Sequence, residues 1–101
     1  MQRIPRLLNR HVDIIPPGAV YIGRPSRYAN PFRIGIDGNR EEVIRKFESY
    51  AIKRTEEEPG WLDPLHGKDL VCSCYPLPCH GDIVIRLANP EIQFTNERKE
   101  L

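Results

Sequence analysis

The sequence predicts a small α/β domain, Rossmann-like, with three layers around a short and mainly parallel sheet. Three observations predict it. Stretches rich in β-branched residues alternate with amphipathic helical stretches, in the order strand, loop, helix, strand, loop, helix. Ten prolines in 101 residues cut the chain into short elements joined by stiff loops. Hydrophobic residues at 40% and charged residues at 29% give a globular composition rather than a disordered one.

His11–Ile15 leans towards β structure and is stopped by Pro16-Pro17-Gly18. Ala19–Gly23 is the first strong strand, β-branched and aromatic, with Pro25 just beyond it. Arg24–Gly38 reads as an irregular loop with a brief strand at Phe32–Ile36 and a turn at Asp37-Gly38. The best helix follows. Asn39 is a good N-cap and Glu42 completes a capping box. Val43, Ile44, Phe47, Tyr50 and Ala51 then form one apolar stripe, and the helix stops at Pro59-Gly60. Trp61–Leu65 is a short helical turn, and Asp69–Ser73 is a second strand. After the proline-bracketed loop Tyr75–Pro78, Gly81–Ala88 reads as a helix with Ile83, Val84, Leu87 and Ala88 on one face, and its β-branched content also permits a strand. If the strands are parallel, the crossover is right-handed. Both loops then leave the carboxyl ends of strands, the edge where open α/β sheets bind ligands.

The length fits one domain over residues 1–101, with an ordered core over about 11–94 and a polar C-terminal tail. A net charge of +1 announces neither nucleic acid nor membrane, so binding to either would need a local patch. No apolar run approaches the roughly 20 residues that span a bilayer. The three cysteines, Cys72, Cys74 and Cys79, are odd in number and clustered. That favours a reducing compartment, and the expected location is cytoplasmic.

Two segments concentrate the chemistry. In Arg24–Phe32, flanking prolines stiffen the loop. Arg24 can bind a phosphate or carboxylate with its fork of donors. Ser26 and Asn30 can orient a ligand, and Phe32, like Tyr28, offers a face for a base. Equally, Ser and Asn beside Pro are ordinary turn formers. In Cys72–Gly81, three readings compete. A helix start lowers the pKa of Cys79, making it a nucleophile with His80 as its acid–base partner; alternatively, the same start, with Gly81 and Asp82, holds a phosphate. Cys72, Cys74, Cys79 and His80 have the inventory of a Cys₃His zinc site, although the spacing is unusual. Or the cysteines are small buried hydrophobes and His80 is a hydrogen bonder at the helix start.

Gly23-Arg24-Pro25-Ser26, Asn30-Pro31-Phe32, Leu65-His66-Gly67-Lys68-Asp69-Leu70, Leu70-Val71-Cys72-Ser73-Cys74 and Cys79-His80-Gly81-Asp82 together resemble a bacterial and phage family, domain-of-unknown-function family 4326. The resemblance covers about Val20–Ala88 and implies that the two segments belong together; it supplies no substrate.

The expected function is binding of a nucleotide, nucleoside or other phosphate-bearing small molecule; if the protein is an enzyme, hydrolysis or group transfer is the natural reaction class. The chain has no P-loop and no G-x-G-x-x-G. In this reading Arg24→Ala or His80→Ala abolishes binding with little change in Tm. The alternative is a zinc-stabilised module that contacts nucleic acid or protein, with Arg3, Arg6, Arg10, Arg24 and Arg27 as its patch.

Overall fold

The structure, a computed structural model, describes residues 4–73, 77 and 79–94. It contains β1 (Leu7–Asn9), β2 (Val20–Tyr21), α1 (Arg40–Glu57), a 3₁₀ turn (Asp63–Leu65), β3 (Leu70–Cys72) and α2 (Gly81–Ala88). The sheet is open and all-parallel, in the order β1-β3-β2. This is the small α/β domain with a short parallel sheet that the sequence predicts. The expected tail beyond Phe94, and most of the Tyr75–Pro78 loop, lie outside the described residues.

The first strand is not where β-propensity puts it. Residues 10–13 turn instead, and Ile14 is 95% exposed. The strand is Leu7–Asn9. Asp69 is the reason. Its buried carboxylate accepts from Arg6 N at 2.8 Å and Arg6 Nη2 at 3.0 Å, and Leu70 N donates to Arg6 O at 2.8 Å. Charge-assisted bonds to a buried carboxylate outweigh local propensity. Asn9 then ends the strand: its Oδ1 accepts from His11 N, and Asp13 Oδ2 accepts from Asn9 N. The brief strand expected at Phe32–Ile36 is reduced to an isolated bridge between Ile34 and Gly38.

Helix α1 starts as the sequence requires. Asn39 Oδ1 accepts from Glu42 N at 2.8 Å, and Glu42 Oε1 accepts from Asn39 N at 2.9 Å. Gly38 precedes the cap at φ +144°, where a Cβ would meet Glu42 Cβ at 2.8 Å. Asn39→Ala is expected to lower stability by about 1 kcal/mol, read as a fall in Tm of roughly 4–8 °C. No change would mean that the cap does not hold the helix end.

The core gathers under the helices. Val43, Phe47 and Ala51 of α1 are buried, while Ile44 and Tyr50 of the expected stripe are half-buried. Ile22, Trp61, Leu65, Leu70 and Val84 are among the residues that complete it. Helix α2 packs against β1, β3, the 3₁₀ turn and α1. Its buried set is accordingly wider than one stripe: Ile85 is buried, and Leu87 lies half-buried at the edge of the cluster. At Gly81 a Cβ would meet Leu7 Cδ1 at 2.7 Å, so this glycine permits the close seat of α2 on β1. No helix among the described residues is long and apolar enough to cross a membrane.

Candidate functional site

Strands β2 and β3 run side by side and end together, at Tyr21 and Cys72. Both chemistry-bearing segments therefore leave the same carboxyl edge of the sheet. The first segment folds on itself. Arg24 Nη2 donates to Asn30 O at 3.0 Å and to Phe32 O at 3.3 Å. Asn30 Nδ2 donates to Val43 O at 3.2 Å, tying the loop to α1, while Asn30 Oδ1 accepts from Phe32 N. Ser26 Oγ accepts from Tyr28 N, and Tyr28 is buried against Trp61. Ser26 and Asn30 thus use hydrogen bonds to shape the loop, the turn-forming role that the sequence left open. Phe32 is half-buried, its ring edge-on to Tyr50.

In the second segment His80 is the N-cap residue of α2. Its ring packs edge-on against Phe47, with centroids 5.0 Å apart, and Nε2 lies 3.0 Å from Ile22 O. A carbonyl only accepts, so Nε2 carries the proton. Burial pushes the His80 pKa below its ordinary value; the backbone at Ile22 and Tyr28 opposes this, and Arg24 adds to it. His80 therefore joins the start of α2 to the root of the first loop.

Cys79 departs from the expectation of an activated thiolate. Its hydrogen bond with Cys72, and then burial, push its thiol far above the ordinary range. Gly81 N donates to Cys79 Sγ at 3.3 Å and opposes that shift, but does not overcome it. Desolvation and a neighbouring thiol outweigh the helix start. Asp82 accepts from Cys79 N through Oδ2 and so serves the helix turn itself. The zinc set is not assembled among the described residues: no group of three or more His, Cys, Asp or Glu side chains could hold a metal there, and Cys74 lies outside them. Of the basic residues in the alternative reading, Arg6 pairs with Asp69 and Arg27 with Glu58, and Arg3 lies outside the described residues.

Between the two segments opens a cavity of about 500 Å³. Arg24, Asn30, Phe32, Cys72, Cys79 and His80 line it, as the sequence reading groups them. Ser26, Gly81 and Asp82 do not line it. Sequence reasoning missed Arg33, Arg40 and Tyr21. Arg33 and Arg40 join Arg24 at the wall, and among the described residues no carboxylate lines it. Arg10 stacks over the Tyr21 ring at 4.8 Å, beside the same opening. Ile34, Ile36, Val43 and Ile44 supply an apolar flank. Arg33 follows Asn30-Pro31-Phe32 directly, which is the one signal that could have drawn it in.

An uncharacterised 12.4 kDa protein of Enterobacteria phage T4, from the nrdA-td intergenic region, is 42% identical over 60 residues. That match covers 55% of this chain and 56% of the phage protein, so the chain spans about half the length of the relative it matches. No solved structure matches the chain. A family model for a domain of unknown function, DUF4326, matches residues 7–90, which takes in the whole sheet, both helices and the cavity between the two segments, and the chain belongs to that family.

Proposed function

We propose that the cavity binds a small phosphate-bearing molecule, with a nucleotide as the ligand class that fits best. One observation carries the reading: three arginines, Arg24, Arg33 and Arg40, line one cavity, and no carboxylate lines it among the described residues. Their charges favour an anion, and a partly enclosed site strengthens the attraction relative to open water. The apolar flank and Phe32 suit a flat base or a sugar face. A volume of about 500 Å³ is in the range of small-molecule sites. The position at the carboxyl end of a parallel sheet supports the same reading.

Binding is better supported than turnover. A protonated Cys79 thiol is a poor nucleophile, and the His80 ring is committed to Ile22 O. Hydrolysis or transfer at the bound phosphate would need groups other than this pair.

The test is calorimetric titration of the full chain with nucleoside mono-, di- and triphosphates and with inorganic phosphate. Arg33→Ala is the cleanest variant, because Arg33 is exposed and its backbone N–H, which a substitution keeps, donates to Asp37 Oδ2. It is expected to weaken nucleotide binding by roughly ten- to a hundredfold, the loss of one charge-assisted bond, with Tm unchanged. Absence of binding at millimolar nucleotide, or binding indifferent to Arg33→Ala, would overturn the proposal.

A further inference from the structure

The cavity wall holds two sulfur atoms that anion binding does not use. Cys72 ends β3, and Cys79 lies just before α2. Both are reduced and buried, 1% and 3% exposed, yet both line the cavity. Their side chains hydrogen-bond to each other. Two different elements thus bring their thiols together at a place a small solute can reach. If only filling space mattered, an apolar side chain would serve at either position. Two reduced thiols held side by side can do something more: they can close a disulfide.

We propose that Cys72 and Cys79 form a reversible disulfide, with hydrogen peroxide entering through the cavity as the oxidant. One of the two sulfurs attacks a peroxide oxygen as its thiolate and the O–O bond breaks. The departing hydroxide takes up a proton and leaves as water, and that cysteine becomes a sulfenic acid. The other sulfur then attacks the sulfenic sulfur. The S–O bond breaks, and the oxygen leaves as a second water with the proton of the attacking thiol. Two thiols lose two electrons in total, and one peroxide is reduced to two waters.

Bonding draws the sulfurs to about 2.05 Å and engages the Sγ that now accepts from Gly81 N. His80 follows Cys79 directly and holds Ile22 O, so the oxidation state of the pair is felt at the root of the first loop.

The protein has three cysteines, so Cys74→Ser leaves only this pair. The full-length variant is treated with graded hydrogen peroxide, its remaining thiols are trapped with N-ethylmaleimide under denaturing conditions, and its intact mass is read. The expected product is a monomer lighter by two hydrogens that takes no maleimide and returns to two maleimides after dithiothreitol. In wild-type protein, fragmentation of the oxidised peptide is expected to place the bond between Cys72 and Cys79, which keeps the test decisive should Cys74→Ser fail to fold. Added oxygen on the sulfurs, two thiols still open to maleimide, or a wild-type bond that involves Cys74 would overturn the proposal. The readout is a mass, so a failure of nucleotide binding leaves this result standing, and the reverse also holds.

Discussion

Phe47→Ala is expected to remove about 3–5 kcal/mol of stability, the typical cost of emptying a buried aromatic site. Phe47 is fully buried on the inner face of α1. It meets the rings of Tyr50 at 5.8 Å and His80 at 5.0 Å, so it joins the helix to the core and the core to the site. A domain of this size has a total stability of about 5–15 kcal/mol, so the variant approaches the limit of folding. Urea unfolding gives the free energy, and Tm should fall by roughly 12 °C or more. Phe47→Leu, which keeps most of the volume, should retain the fold at a clearly smaller cost. A loss below about 1 kcal/mol for the alanine variant would contradict the packing of α1 described above.

His80→Ala should cost about 2–4 kcal/mol, because it leaves Ile22 O without its imidazole donor and opens space beside Phe47. This corrects the expectation that His80 could be removed with little change in Tm. The pH dependence identifies the cause. Burial lowers the folded-state pKa of His80, whereas the unfolded chain titrates near about 6.5. As pH falls through that value, the unfolded state takes up the proton first and gains stability relative to the folded state. The contribution of a neutral His80 is therefore full above about pH 7 and is lost as pH falls through the lower folded value. Wild-type Tm should drop between about pH 7.5 and pH 5 by more than that of His80→Gln, which offers a donor at similar reach but does not titrate. Parallel Tm profiles for the two proteins would remove His80 from this role.

What could be read from the sequence was local. The Asn39–Glu42 box, the Val43–Phe47–Ala51 stripe and the stop at Pro59-Gly60 lie within a few turns of one another, and α1 follows them. The parallel sheet followed from the order of elements, and with it the meeting of Arg24, Asn30 and Phe32 with Cys79 and His80 at one edge. β1 was illegible because Leu7-Leu8-Asn9 has no β-branched residue and becomes a strand through Asp69, a distant partner. Arg33 and Arg40 were illegible for a related reason. They reach the cavity because the 33–38 loop closes through Asp37 and through Gly35 N to Gly38 O, which sequence spacing does not reveal. At Cys79 the helix-start argument named a real effect, but the burial that outweighs it depends on tertiary packing.

The order β1-β3-β2 also governs how the molecule can assemble in time. The middle strand is the last of the three to be synthesised, so both outer strands wait for it. The anchoring bond from Arg6 to Asp69 closes across 63 residues. No part of the sheet can form as a local hairpin, and closing so long a loop must be paid for before any ladder bond rewards it. A nascent chain that has not reached Leu70 holds α1 as its one substantial local structure, with Leu7–Asn9 and Val20–Tyr21 unpaired. Completion of β3 then joins both strands in one step, and α2 follows within the next few residues to cover them. Folding of this chain is thus committed late and from its C-terminal half, and the cavity exists only once that commitment is made.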